Sequence, residues 1–182
     1  MTDFNAPSSR RFRLPSLRPD NRIVIAGALV GYAVLSWLIL QSAGNPQVRF
    51  HIDASRFVDA SFMIKLHVAG AIAAFAIGTV LLTGVKGRGL HRKLGYSWVA
   101  AMAVTAISSF FIIGLNGNSF SFIHGLSAWT VIALPMAVAA ARRKDIKTHR
   151  RDMTGMFTGG LVVAGLFSFL PGRIMWSIFF AA

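Results

Sequence analysis

The chain contains no cysteine and no glutamate, and its six aspartates are the only carboxylates among 182 residues. Without cysteine there are no disulfides, thiolate metal sites or cysteine nucleophiles. Without glutamate, and with every aspartate in the N-terminal tail, a loop or a helix end, neither a carboxylate-rich cation cage nor a buried acid/base pair is readily built. Charge is scarce as well: 14% of residues are charged against 54% hydrophobic, and mean hydropathy is +0.59, outside the range of soluble globular chains.

What is abundant is apolar sequence. A transmembrane helix needs about 20 predominantly apolar residues to cross a hydrocarbon core about 30 Å thick. Five runs approach that length: Ile23 to Leu40, Phe62 to Val85, Leu94 to Leu115, Phe122 to Ala141 and Met153 to Phe180. In the last, Pro171-Gly172-Arg173 should end or kink the helix near Leu170. The expectation is an all-α integral membrane protein of about five transmembrane helices: a basic tail over 1–22, a first helix over 23–41 and a four-helix bundle within 62–182.

The net charge of +13 is distributed in a pattern that orients these helices. Arg10, Arg11, Arg13, Arg18 and Arg22 lie in the tail, Lys86, Arg88, Arg92 and Lys93 between the second and third runs, and Arg142, Arg143, Lys144, Lys147, Arg150 and Arg151 between the fourth and fifth. The other side keeps Arg49, Arg56, Lys65 and Arg173, and the loop 116–121 carries no charge. By the positive-inside rule the tail and both basic loops are cytoplasmic and the C-terminus lies outside. The basic charge is therefore topogenic, and no nucleic-acid partner is expected. Ser9-Arg10-Arg11-Phe12 superficially resembles a twin-arginine signal, but the run after it is long and shows no small-residue cleavage site, which reads as an uncleaved anchor.

Four of the five histidines lie at helix edges, in two pairs of matching depth. His67 and His124 open the second and fourth runs on the outer side, while His91 and His149 precede the third and fifth on the cytoplasmic side. His91-Arg92-Lys93 and His149-Arg150-Arg151 are similar strings, so the bundle reads as two similar hairpins, with equivalent histidines facing one another. The face of the second run that carries His67 continues through Ala71, Ala74 and Gly78 beside Gly70, a stripe of small residues that serves either close helix packing or clearance for a flat cofactor. On the fourth run the His124 face continues through Ser127, Ala128, Val131 and Pro135. Facing neutral imidazoles are the usual axial ligands of a low-spin b-type haem in a helix bundle. The competing reading is interfacial solvation of histidines near helix ends, which for His91 and His149 means loops in contact with water. His51 reads as a surface residue.

Leu66-His67, Leu90-His91-Arg92-Lys93-Leu94-Gly95-Tyr96 and Thr148-His149-Arg150-Arg151-Asp152-Met153 resemble an uncharacterised bacterial membrane family, domain of unknown function 2306, over roughly His67 to Arg173. More distantly, the arrangement is similar to cytochrome b561-like two-haem membrane proteins, in which alternate helices share a haem. That resemblance implies haem b held by His67 with His124 and by His91 with His149. The interval between the first two histidines is shorter here than in that superfamily, and taking 1.5 Å of rise per residue the two levels lie up to about 30 Å apart.

Two functions emerge as expectations. The first is a b-type electron-transfer protein served by a redox partner, a quinone or a larger membrane complex, with Lys65 and Arg173 either pairing with propionates or snorkelling to headgroups. The second is a non-enzymatic accessory or assembly subunit without cofactor, motivated by the absence of acidic catalytic groups and by small glycine-lined faces such as that of Gly155 and Gly159. Copper or zinc held by histidine with Met63 is a weaker option, because no Cys, Asp or Glu completes such a site at useful spacing.

Overall fold

A computed structural model describes residues 19–84, 89–112 and 122–181 of the chain. The expectations placed on Arg10, Arg11, Arg13, Arg18, Lys86, Arg88 and loop 116–121 lie outside the described residues. Helices in order are α1 (Pro19–Ser42), α2 (Ser55–Val58), α3 (Phe62–Thr83), α4 (Gly89–Ser109), α5 (Phe122–Arg142), α6 (Ile146–Gly155), a π-helical segment (Met156–Val163), α7 (Ala164–Phe167) and α8 (Ile174–Phe179). The all-α expectation holds, apart from one antiparallel pairing of two-residue strands, β1 (Arg49–Phe50) with β2 (Phe180–Ala181).

Three of these helices are long and apolar enough to cross a membrane, at Arg22–Ser42, Phe62–Thr83 and Ile123–Arg142. The other two runs depart from expectation for identifiable reasons. α4 begins at Gly89, five residues before its apolar run, so that Leu90, His91, Arg92 and Lys93 form its first turn and dilute its hydropathy; it ends at Ser109 rather than Leu115. The fifth run starts earlier still, at Ile146, where the Asp145 side chain caps α6 by accepting from the Thr148 backbone N–H at 3.1 Å. Lys144, at φ 63°, makes the left-handed reversal that turns α5 into α6. Beyond Phe167 the rod ends as Pro171 requires, and Gly172 adopts φ 86°, a conformation that favours glycine.

α3, α4, α5 and the rod formed by α6, the π segment and α7 surround one core, each rod contacting the next, with the fourth returning to α3. α3 and α5 are thus diagonal partners, as are α4 and the fourth rod. Ala74, Trp98, Met102, Leu134, Ala137, Met156 and Leu161 form the buried cluster at mid-height. Gly70 and Gly78 seat α3 on its neighbours: a Cβ on Gly70 would lie 2.7 Å from Thr105 Oγ1, and one on Gly78 2.5 Å from the Phe157 ring and 2.7 Å from Trp98 Nε1. At Gly70 and Gly78 the stripe that continues from His67 is therefore filled by packing, the small-residue use general in membrane helices.

α1 stands outside the bundle, most of its side chains exposed to what would be lipid, and among the described residues docks mainly on the π segment, α7 and the turn after it. There the Tyr32 hydroxyl donates to the Phe169 carbonyl at 3.0 Å, and Gly31 faces the Phe167 ring. The segment after α1 returns to the far end of the chain. The His51 and Asp53 backbone N–H groups donate to Phe179 and Ile178 carbonyls at 3.0 and 2.8 Å, and Phe50 packs edge-on against Phe180.

Candidate functional site

An imidazole can bond a backbone carbonyl only by donating, so a ring nitrogen facing one carries the proton. His67, in the second turn of α3, places Nδ1 2.8 Å from the Thr105 carbonyl of α4. The Ser108 hydroxyl, itself donating to that carbonyl at 3.1 Å, lies 3.4 Å from the same nitrogen. Nδ1 thus carries a proton and is committed to this bond, which leaves Nε2 as the ring's other nitrogen. His149, in the first turn of α6, repeats the device at the other end of the bundle, with Nδ1 2.9 Å from the Ala137 carbonyl of α5. In both, a histidine near the start of one helix bonds to a carbonyl near the end of an antiparallel neighbour. This is how proteins commonly orient a metal-ligating histidine through its second nitrogen.

His124 lies in the first turn of α5 and is 8% exposed, with Nε2 sealed from solvent. Its ring centroid is 6.2 Å from that of Phe110, which comes directly after α4. One turn on, the Ser109 hydroxyl of α4 donates to the buried Ser127 hydroxyl at 2.5 Å. The end of α4 and the residue after it contact both histidines of this level or their helices, Thr105 and Ser108 at His67, Phe110 at His124 and Ser109 at Ser127 of α5. Around it Ser108, Ser109, Ser127 and Thr130 are all buried. Sequence reasoning misses this polar layer, because a serine or threonine in an apolar run has no signature until its neighbours are known.

The structure corrects the water-facing loops expected for His91 and His149. Both lie within helices and are half-buried, because α4 and α6 extend past their apolar runs. The levels are also closer than the intervals imply. His91 and the Thr105 carbonyl that holds His67 are fourteen positions apart on α4, or about 21 Å of helix, against the expected limit of about 30 Å. Between them sits the Trp98, Met102 and Met156 layer, with the Trp98 indole N–H buried and without an acceptor among the described residues. His51 is half-buried rather than on the surface, in the segment paired with the C-terminus.

Among the described residues no three His, Cys, Asp or Glu side chains converge as a metal site would need. Met63 instead lines an apolar groove of about 210 Å³ with Leu66, Val104, Ile107, Ser108 and Phe111. A haem, by contrast, asks the protein for only two axial donors. The Nδ1 contacts orient one ring in each of the two expected pairs, His67 at one end of the bundle and His149 at the other.

Long apolar helices, a mid-height core and polar groups held in pairs between helices define a multi-pass membrane protein. The chain belongs to the family described as predicted membrane protein (DUF2306), which matches residues 64–178, the region from α3 through α8. No curated protein and no solved structure matches it.

Proposed function

We propose that this protein is a b-type haem-binding membrane redox protein, with His67 and His124 at one level and His91 and His149 at the other. The observation that carries this reading is the twice-used Nδ1–carbonyl bond, at His67–Thr105 and His149–Ala137, which fixes the ring and leaves Nε2 as the donor atom. The diagonal placement of α3 with α5, and of α4 with the fourth rod, is what two haems shared between alternate helices would need. When bound, the haem would supply one-electron chemistry; the protein supplies ligation, orientation and a low-dielectric surround. In this reading the basic end, with Arg142 to Arg151, faces the cytoplasm of a bacterial inner membrane, and the electron donor or acceptor is a quinone or a protein partner.

Protein extracted from haem-replete cells should show a Soret band that moves on dithionite reduction and weakens in His67→Ala and His124→Ala. A colourless preparation refutes the proposal. The filled stripe at Gly70, Ala74 and Gly78 favours a second reading, a cofactor-free accessory subunit whose bundle is packed throughout. Its sign is a stoichiometric partner recovered in mild detergent with no Soret absorbance.

A further inference from the structure

At the basic end, Tyr96 and Val99 of α4 and Pro135, Val138, Ala139 and Arg142 of α5 line an open groove of about 340 Å³. Its floor comes from two helical stripes. Val99 and Tyr96 share a face of α4 with Arg92 one turn earlier, and Pro135, Val138, Ala139 and Arg142 share a face of α5. Because the helices are antiparallel, both stripes end in arginine at the same mouth. Arg92, Tyr96, Pro135 and Arg142 are all exposed, so the groove opens sideways to the surrounding lipid as well as to the basic end. From Pro135 to Arg142 it runs about 10 Å along the membrane normal.

We propose that this groove binds one anionic phospholipid, an acyl chain lying over Val99, Pro135, Val138 and Ala139 and the phosphate held by Arg142 and Arg92, with the Tyr96 hydroxyl as a further donor. Charge and shape both select this occupant. The walls are largely apolar, Arg142 lines the groove, and Arg92 lies one turn before Tyr96 on the same face of α4, so each helix offers a guanidinium to a phosphate at this end. Lys93, Arg143 and Lys147 add positive charge at the same end of the chain's helices without lining the groove, and of the nearby acids Asp145 caps α6 while Asp152 pairs with Arg151 at 2.8 Å. Basic pockets between membrane helices recognise acidic headgroups in this way. The site does not depend on haem.

The test is thermal unfolding of the full chain in neutral detergent, titrated with phosphatidylglycerol, with phosphatidylcholine of the same acyl chains, or with inorganic phosphate. Phosphatidylglycerol should stabilise saturably, and the other two much less. Arg142→Gln should raise the half-saturating concentration about tenfold, the loss of a charge-assisted contact, while Arg143→Gln, off the groove, changes it little. Ala139→Leu, which fills the groove without altering charge, should also weaken binding. Equal responses of Arg142→Gln and Arg143→Gln would reduce the effect to general electrostatics, equal stabilisation by phosphatidylcholine would remove the headgroup, and an unchanged Ala139→Leu response would remove the groove; each overturns the proposal.

Discussion

Gly70→Ala probes the seam that holds His67. The added Cβ would lie 2.7 Å from Thr105 Oγ1 and 3.3 Å from both the Ala101 carbonyl oxygen and Val104 Cγ1. The first contact cannot be tolerated unmoved, and Thr105 is not free to yield. Its hydroxyl donates to the Ala101 carbonyl at 2.9 Å, and a β-branched side chain in a helix has few alternative rotamers. Either Thr105 gives up that bond or α3 lifts from α4, loosening Gly78 from Trp98 and lengthening the His67–Thr105 bond. Overpacking of this kind costs about 1–3 kcal/mol, while alanine gains up to about 1 kcal/mol over glycine within a helix, so the net loss should be about 1 kcal/mol. In a Thr105→Ala background the 2.7 Å obstacle is gone and only the 3.3 Å contacts remain, which small shifts absorb. Gly70→Ala should there be neutral or stabilising, a reversal of sign that corresponds to a coupling of about 1 kcal/mol or more. Reversible unfolding in mixed micelles, followed by circular dichroism, measures all four proteins. An equal loss in both backgrounds would show that Thr105 is not what Gly70 accommodates.

Two further perturbations test the polar contacts. Ser127→Ala removes the acceptor of the buried Ser109 hydroxyl, which keeps its competing bond to the Ala106 carbonyl; the expected loss is about 1 kcal/mol in the same unfolding assay, and no change would show the serine pair to be incidental. Asp145 accepts from the Thr148 backbone N–H, which holds its pKa below the ordinary 3.8. A depressed folded pKa contributes stability above 3.8 that is lost as pH falls through the folded value, so α6 should loosen in acid below 3.8. Asp145→Asn keeps a capping oxygen that does not titrate and should flatten that part of the acid profile, read as helicity against pH. An unaltered profile would assign the acid loss elsewhere.

The helices are legible in the sequence where a run is apolar throughout. The first run, Ile23 to Leu40 by hydropathy, is α1 (Pro19–Ser42), and the fourth begins at Phe122 by either criterion. They are illegible where hydropathy and helicity part company. Leu90 to Lys93 and Ile146 to Arg151 are helical but basic, and hydropathy alone assigns such residues to loops, which is why His91 and His149 read as water-facing. That the four histidines lie near the starts of their helices follows from the runs themselves. Their partners do not, since the Thr105 and Ala137 carbonyls belong to the main chain and any residue could supply them. The pairing of Arg49–Phe50 with Phe180–Ala181 is equally hidden, being a contact between segments remote in sequence.

The π segment governs how α1 docks, which none of the apolar runs implies. In a π-helix each N–H bonds five residues back, so Met156–Val163 accommodates an extra residue relative to an α-helix, and extra residues of this kind recur at functional sites. Ile146–Gly155 is fixed upstream by the Asp145 cap and the His149–Ala137 bond, so the angular offset falls on the residues downstream, α7 and the turn after it. One residue is about 100° of helix. That offset aims Phe167 at Gly31 and brings the Phe169 carbonyl to Tyr32, which together dock α1. Gly159 has open space where a side chain would stand, making it the residue whose removal disturbs packing least. Deleting Gly159 should let the segment become α-helical, swing Phe167 about 100° away from α1, and leave the His149 contact in place. The cysteine-free chain makes this measurable: Gly31→Cys with Phe167→Cys should cross-link through a short bis-maleimide in the full-length protein and fail to do so in the deletion. Equal cross-linking in the two would mean that the extra residue does not set the direction of Phe167, and that α1 is docked by the turn after it alone.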